Sequence, residues 1–245
     1  MIKAADLDRF TKSRRSTGKD ENGNPVRRVH IRAHSPCPIE ATFEDKKILS
    51  MAGKYAAMST ARVYSLVRAA QYVVKHDIPG VAAVCGVGLG GSALALARAF
   101  RNAGVTDREI WLYDTFDSEK RPELDDYRSP IDYVKTILKK RCPEYRQESF
   151  VFVKGMVEDT IPGKMPAVIS ILHADTDWYD STKHELKHLY PRIARGGVIL
   201  IDDYGVWEGA RRATDEYFEA IREPILLHAV DHTGRMGVKT TGAEK

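Results

Sequence analysis

The chain has 245 residues, of which 43% are hydrophobic and 29% are charged, and its formal net charge is +4. This balance is typical of a globular protein and excludes a wholly disordered or fibrous chain. Three cysteines without a CxxC pair favour a reducing compartment, and neither a secretory leader after Met1 nor a run of ~18 apolar residues is found, so we expect a cytoplasmic protein with no membrane-spanning segment.

Positive charge is concentrated at the N-terminus, where residues 1–35 hold nine Lys or Arg and four acidic residues, a net of +5. The stretch 18–25 is rich in turn residues and lacks hydrophobic periodicity. We therefore predict a basic N-terminal arm or lid over 1–58 and a main domain over 59–245. A basic arm can bind phosphates, but no nucleic-acid motif accompanies the charge, so we expect a small-molecule partner and no nucleic acid.

From residue 59 onward, helical and strand patterns alternate. The segment STARVYSLVRAAQYVVKH (59–76) places apolar residues at helical spacing behind a Ser or Thr cap. The further predicted helices are 92–104, 132–141, 181–190 and 208–221, and the predicted strands are 81–86, 109–114, 149–155, 167–175, 196–203 and 224–230. Apolar strands separated by helices are typical of a parallel sheet covered on both faces. The predicted fold class is therefore α/β, with a doubly wound, mostly parallel sheet and an N-terminal arm.

Glycines and an acid follow the first two predicted strands. Gly86, Gly88 and Gly91 match GxGxxG before a helix, and they let the backbone approach a ligand at the helix N-terminus. Asp114 ends the next strand, where a carboxylate can accept two hydrogen bonds from a ribose diol. A purely structural acid at a strand end is the alternative. The pair predicts an adenosine-containing cofactor without separating NAD from S-adenosylmethionine.

Carboxylates follow two later strands, one at Asp175 and Asp177 and the other at Asp202 and Asp203. Because parallel strands end at one rim, these carboxylates repel each other unless a positive charge lies among them. Oxygen ligands of this kind suit Mg²⁺, Mn²⁺ or Ca²⁺. The alternative is a capping role, since Asp177 and Asp180 lie just before a helix. We interpret Asp180 as the cap, and Asp175, Asp202 and Asp203 as metal ligands.

Two other motifs suggest different chemistry. HELKH (184–188) matches the zinc motif HExxH, with Glu208 as a conceivable third ligand. Pro191 ends that helix soon afterwards, and a crossover helix of a parallel sheet is an unusual place for a zinc peptidase site. Tyr179 and Lys183 have the spacing of short-chain dehydrogenases, in which the glycine loop lies at the extreme N-terminus. An NAD(P)-dependent dehydrogenase and a cofactor-binding protein without turnover are kept as alternatives.

The segment 173–218 closely resembles the macrocin O-methyltransferase family, S-adenosylmethionine- and metal-dependent enzymes that methylate sugar hydroxyls in antibiotic biosynthesis. The similarity extends to 81–92, 104–116, 152–162 and 226–234 and covers roughly residues 55–240. It implies a class I methyltransferase, Rossmann-like fold. It also implies S-adenosylmethionine and Mg²⁺ or Mn²⁺ as cofactors, a glycosylated natural product as the small-molecule acceptor, and a homo-oligomer. Acceptor specificity is expected in 1–58 and 117–148.

The resemblance also implies roles for individual residues. Asp175, Asp202 and Asp203 would hold the metal, and Asp177 would be the general base. An extended backbone would turn Asp175 and Asp177 to the same side. His173 is the rival base, since an ordinary histidine pKa of ~6.5 suits proton uptake at neutral pH. The residues implied in cofactor binding are Met58, Ser59, Cys85, Gly86, Gly91, Ser92, Asp114, Gly155 and Met156.

Overall fold

A computed structural model describes residues 14–19, 25–30, 37–116 and 130–241. Residues 1–13, 20–24 and 31–36 of the predicted arm, and 117–129 of the predicted specificity segment, therefore lie outside the described residues. Within the arm, β1 (Arg14–Lys19) and β2 (Pro25–His30) pair as antiparallel strands, which the sequence patterns did not predict. Helix α1 (Phe43–Ala52) follows, and it begins with a capping box between Thr42 and Asp45.

The predicted alternation of helices and strands is confirmed over the main domain. The helices are α2 (Thr60–Lys75), α3 (Gly91–Asn102), α4 (Ile131–Arg141), α5 (Val157–Thr160), α6 (Tyr179–Leu189) and α7 (Glu208–Ile221). The strands are β3 (Val81–Cys85), β4 (Ile110–Asp114), β5 (Phe150–Lys154), β6 (Ile169–Ala174), β7 (Ile193–Ile201), β8 (His228–Ala229) and β9 (Arg235–Val238). Only the short helix α5 and strand β9 have no counterpart among the predicted elements of this part.

The seven strands of the main sheet lie in the order β5-β4-β3-β6-β7-β9-β8. Five neighbouring strands, β5, β4, β3, β6 and β7, are mutually parallel. Strand β9 is antiparallel to both β7 and β8. The chain progresses outward from β3 to β5, then returns to the other side of β3 with β6. The doubly wound, mostly parallel sheet is thus confirmed, with its topological switch point between β3 and β6.

The predicted last strand, 224–230, is wrong in its extent. Only His228–Ala229 forms β8, and the strand that joins β7 is Arg235–Val238. The apolar pattern of 224–230 predicted a longer buried strand. Leu226, however, faces solvent with 82% of its surface exposed and does not enter the core.

Helices cover both faces of the sheet. On one face α1, α2 and α3 contribute to a core with Ile171 and Leu200, and on the other α6 contributes Leu186 and Leu189 to a second core. Helix α1 lies inside the predicted arm, yet Ile48, Leu49 and Ala52 are buried in the first core. The part of the arm from α1 onward therefore packs as part of the main domain. No helix within the described ranges is long and apolar enough to cross a membrane.

Candidate active site at the carboxyl edge of the sheet

Five parallel strands end at one edge of the sheet, and almost all residues predicted from the strand ends lie along it. Across the edge from β5 to β7 the order is Gly155–Met156, Asp114, Gly86–Ser92, Asp175–Asp177 and Asp202–Asp203. The glycine loop and Asp114 lie on one side of the switch point, and the four carboxylates lie on the other. The fold thus separates two chemically different halves of a single cleft edge.

The glycine loop lies against the neighbouring loops at van der Waals limits. Gly86 has a φ of +86°, and a Cβ there would stand 2.0 Å from the carbonyl oxygen of Asp175. At Gly91 a Cβ would stand 2.5 Å from that of Ala56, and the Gly91 N–H donates to the Tyr55 carbonyl at 3.0 Å. Glycine is therefore required at both positions by close backbone packing. This packing brings the loop directly against the acidic half of the edge.

Asp114 orders the glycine loop. Its Oδ2 accepts hydrogen bonds from the N–H groups of Val87 (2.8 Å) and Gly88 (3.1 Å), and its Oδ1 accepts one from Phe116 N–H at 2.9 Å. Asp114 thus has a structural role, as the alternative interpretation of the sequence predicted. Oδ1 also accepts a long contact of 3.4 Å from the Thr115 hydroxyl, which can rotate away, so Oδ1 can still accept from the hydroxyl group of a ligand.

The other residues implied in cofactor binding differ in how accessible they are. The Cys85 side chain is fully buried in the core behind the edge, and this burial raises the pKa of its thiol. Ser92 is also buried, in the first turn of α3. Met156 is 49% exposed and directly precedes α5, after Gly155 with a φ of +137°. Met156 is thus the residue of this group that offers the most surface to a ligand.

Met58 and Ser59 precede α2 and have structural partners. Ser59 caps the helix by accepting from Arg62 N–H at 3.2 Å, and its hydroxyl donates to Asp231 Oδ2 at 2.6 Å. Met58 is half-buried against the first core. Asp231 was not predicted as a site residue, and it ties the start of α2 to the turn before β9.

The acidic half of the edge forms two overlapping clusters that share Asp175. One cluster contains His173, Asp175 and Asp202, and the other contains Asp175, Asp177 and Asp203. In each cluster one potential ligand atom per residue lies within 4.8 Å of the others. The structure therefore brings all predicted acidic residues together, but it divides the predicted trio of Asp175, Asp202 and Asp203 between the two clusters.

The charges in these clusters are poorly balanced. Burial and the neighbouring carboxylates of Asp202 and Asp203 raise the pKa of Asp175 well above its usual value. Burial and Asp177 likewise raise the pKa of Asp203. Carboxylates that resist ionisation in each other's presence indicate a site that needs additional positive charge, which a divalent cation supplies. The donor set thus fits a metal ion.

Arg62 supplies part of the positive charge, and the sequence patterns did not identify it. Its guanidinium forms an ion pair with Asp202 Oδ2, lies 3.2 Å from Asp231 Oδ2, and lies 3.9 Å from Asp203 Oδ1. Burial raises the pKa of Asp202, but Arg62 and His173 lower it by more. The net effect is a decrease. Arg62 lies 140 residues before Asp202, so no local spacing could have indicated the pair.

Asp177 lies in a strained turn. Its φ is +71°, and Trp178 N–H donates to the carbonyl of Thr176 at 2.9 Å across it. This is a γ-turn of the rare type with positive φ. The predicted approach of Asp175 and Asp177 is therefore observed, but its cause is not an extended backbone, because β6 ends at Ala174. Such strain is frequent at functional sites.

The prediction that Asp180 caps α6 is wrong. The cap position is Trp178, which makes no side-chain cap hydrogen bond, and Asp180 is exposed in the first turn. Its charge there favours the positive end of the helix dipole. The Trp178 ring lies 5.9 Å from that of Trp207, the residue before α7. Two half-buried indoles therefore border the acidic half of the edge.

The glutamate and the histidines of the HExxH segment have different surroundings. Glu185 is fully buried and accepts a hydrogen bond from Thr176 Oγ1 at 2.7 Å, whereas His184 Nε2 contacts the Ile161 carbonyl at 2.8 Å. Within the described ranges, neither cluster able to hold a metal includes His184, Glu185 or His188. Glu185 is thus turned into the core and does not lie between the two histidines.

The Tyr179–Lys183 pair forms a surface contact between helices. The Tyr179 hydroxyl donates to Glu216 at 2.6 Å on α7 and accepts from Lys183 at 2.8 Å. Both hydrogen bonds are exposed, and Arg212 covers the Tyr179 ring. The pair thus has partners that hold α6 against α7.

Comparison with known proteins gives consistent results. The model of the family described as macrocin-O-methyltransferase (TylF) matches residues 50–236. The demethyldecarbamoylnovobiocin O-methyltransferase of Streptomyces niveus is 26% identical over 196 residues, 75% of each chain. A tetracenomycin 4'-O-methyltransferase of Streptomyces olivaceus, acting on a dimethoxy-rhamnosyl derivative, is 26% identical over 188 residues, 71% of each chain.

Solved structures share the fold. The O-methyltransferase NovP superposes with a TM-score of 0.74 at 21% identity, covering 81% of this chain and 98% of that one. The calicheamicin methyltransferase CalS11 superposes with a TM-score of 0.56 at 18% identity, covering 80% of this chain and 93% of that one. The fold is therefore that of class I methyltransferases.

Proposed function

Because the chain belongs to the macrocin-O-methyltransferase family and is an O-methyltransferase, we propose that it methylates a sugar hydroxyl of a natural product. In this proposal S-adenosylmethionine is the methyl donor and a divalent cation assists. The observation that carries the proposal is the division of one edge of the sheet at its switch point. A glycine loop with Asp114 lies on one side, and a cluster of carboxylates lies on the other.

The glycine-loop half is proposed to bind the cofactor. Asp114 holds the loop through Val87 and Gly88, and its Oδ1 can accept a ribose hydroxyl. Met156, exposed next to Asp114 on the neighbouring strand end, offers an apolar surface for the adenine ring. S-adenosylmethionine bound there would supply an already activated methyl group. The chain's own task is then to align the acceptor oxygen with that methyl group.

The acidic half is proposed to bind the acceptor. Asp175, Asp202 and Asp203 would hold a divalent cation, which supplies Lewis acidity and orients a hydroxyl, best as part of a vicinal diol. Asp177 is proposed as the general base. It lies within the same carboxylate cluster, and the γ-turn holds it on the acidic rim. His173 is less suited to that role, because only 1% of its side chain is exposed.

The identity of the acceptor class is supported from two directions. Two relatives are named for methylation of glycosylated compounds, the tetracenomycin enzyme and the mycinamicin III 3''-O-methyltransferase of Micromonospora griseorubida, the latter 26% identical over 171 residues. Trp178 directly follows Asp177, and its ring lies 5.9 Å from that of Trp207, whose backbone N–H donates to the Asp203 carbonyl. Indole faces bind the apolar faces of sugar rings well, because they bury large areas at low entropic cost.

The test is methyl transfer from donor labelled in the methyl group to a panel of glycosylated natural products, among them novobiocin, tetracenomycin and mycinamicin precursors, each paired with its aglycone. We expect transfer to at least one glycoside and to no aglycone, and loss of transfer with a chelator or in Asp202→Ala. In calorimetry, S-adenosylhomocysteine should bind and NAD and NADP should not. Tight NAD binding without S-adenosylhomocysteine binding would contradict the proposed cofactor. Methyl transfer that a chelator does not affect would contradict the proposed role of the cation.

A further inference from the structure

His173 is a buried imidazole that points into the acidic cluster. It lies on β6 between Val84 of β3 and Leu200 of β7, and 1% of its side chain is exposed. Its Nε2 is 3.6 Å from Asp202 Oδ1 and 4.0 Å from Asp175 Oδ2. Both separations are longer than a hydrogen bond. The ring thus approaches two carboxylates without forming a close hydrogen bond to either.

These separations are those of atoms that share a cation. Ligand atoms about 2.0–2.3 Å from one metal ion, at angles of about 90–120°, stand about 3–4 Å apart. The oxygen of Asp202 concerned is Oδ1, since Arg62 holds Oδ2 from the other side. Arg62 therefore leaves free the oxygen that faces His173.

The two nitrogens of the His173 ring have different surroundings, and only Nε2 faces the carboxylates. Its Nδ1 is buried and has no hydrogen-bond partner among the described residues. A polar group in such a position costs free energy unless another interaction compensates. Nε2 is the ring nitrogen that lies beside Asp175 and Asp202. A cation held there by Nε2 and the two carboxylates would offset the cost of burying the ring.

We propose that His173 is a nitrogen ligand of the cation, together with Asp175 and Asp202. This inference rests on the proposed function and refines its metal site. In this refinement His173 replaces Asp203 among the proposed ligands, because Asp203 lies with Asp177 in the second cluster and not with His173. A ligand set with an imidazole favours Mn²⁺ and later transition metals over Mg²⁺, which prefers oxygen ligands. The site is thus a mixed nitrogen and oxygen site, selective for Mn²⁺ over Mg²⁺.

The test uses Mn²⁺ and the full-length protein, without substrate. Pulsed electron paramagnetic resonance should show coupling of ¹⁴N to bound Mn²⁺ in the wild type and in the matched controls His184→Ala and His188→Ala. The coupling should disappear in His173→Ala and His173→Asn. The two variants should bind Mn²⁺ at least about tenfold more weakly. Displacing Mn²⁺ from the wild type should need a large excess of Mg²⁺, and a smaller excess in His173→Asn.

The outcomes separate this inference from the proposed function. Bound Mn²⁺ without ¹⁴N coupling, lost in Asp202→Ala but unchanged in His173→Asn, would overturn the histidine ligand and leave an all-oxygen metal site. No Mn²⁺ binding by the wild type, together with chelator-resistant methyl transfer, would overturn both this inference and the metal part of the proposed function. Circular dichroism of His173→Asn shows whether loss of binding reflects loss of folding.

Discussion

Asp177 combines an acidic side chain with a backbone conformation that a side chain rarely adopts. A φ of +71° costs free energy for any residue except glycine, although aspartate tolerates it better than most. The γ-turn keeps the carboxylate beside Asp175 and Asp203, where a straight continuation of β6 would carry the chain past them. Strain at this residue is consistent with a role in the reaction.

At this scale we predict the effect of Asp177→Asn, which is nearly isosteric. It should retain Mn²⁺ and S-adenosylhomocysteine binding in calorimetry, because the proposed ligands remain. It should lower the methyl-transfer rate by about 10²–10⁴, the usual contribution of a general base. Asp180→Asn, three residues later on the exposed first turn of α6, is the matched control and should keep the wild-type rate. A larger loss of rate in His173→Asn, with its metal still bound, would show that His173 and not Asp177 is the general base, and it would also contradict His173 as a metal ligand.

The start of helix α2 joins two acidic loops that follow much later in the chain. Its first turn carries Ser59 and Arg62, which bind Asp231 before β9 and Asp202 after β7. Although burial of Asp231 opposes ionisation, the hydrogen bond from Ser59 and the amide of Gly234 lower its pKa to about 2. The helix start therefore holds two acidic loops in place through charge, in addition to its apolar contacts with the core.

We predict that Arg62→Met destabilises the fold, since it leaves Asp202, Asp203 and Asp231 without their internal cation. Removing one partner of a buried ion pair costs on the order of 3–5 kcal/mol. Denaturant unfolding in the presence of a chelator measures this loss. Arg68→Met on the same helix removes an exposed arginine that binds Gln71, and it should change stability by less than about 0.5 kcal/mol. Equal effects of the two variants would show that the Arg62 cluster contributes no specific stability.

The stability of the whole molecule should depend on a carboxyl group outside the proposed site. Burial of Glu185, opposed by the hydrogen bond from Thr176 and reinforced by Glu158 and Asp177, raises its pKa to about 8. In the unfolded chain this carboxyl loses its proton near pH 4.5. Between these two values only the folded state retains the proton, so stability is fully present below the lower value and falls as the pH rises towards 8.

We therefore predict that Glu185→Gln gains stability relative to the wild type as the pH rises. Its free energy of unfolding minus that of the wild type should be larger at pH 8 than at pH 4.5, by on the order of 2–4 kcal/mol. Urea unfolding of both proteins at several pH values measures the difference, and the other acidic groups contribute equally to both. Glu219→Gln, exposed on α7, is the control and should show no such trend. A constant difference between pH 4.5 and 8 would contradict a raised Glu185 pKa.

Much of this architecture could be predicted from the sequence because it depends on local patterns. Apolar strands alternating with amphipathic helices specified the doubly wound sheet, and parallel strands must end at one edge. The glycine loop, Asp114 and the four carboxylates each follow a strand, so their common edge was predictable. The outermost strands of the sheet were harder to predict, because the segment around Leu226 is apolar in sequence although Leu226 is exposed in the structure.

By itself the sequence determined the fold class, the family and the edge on which the site lies. The tertiary structure alone decided which side chains meet there, because contacts between residues far apart in the chain leave no periodic or spacing signal. Arg62 joins Asp202 across 140 residues, and Ser59 joins Asp231 across 172. A buried His173 beside two carboxylates, and a Glu185 turned into the core instead of towards His184 and His188, likewise follow from packing. A motif names the residues available for chemistry, and packing decides which of them share a site.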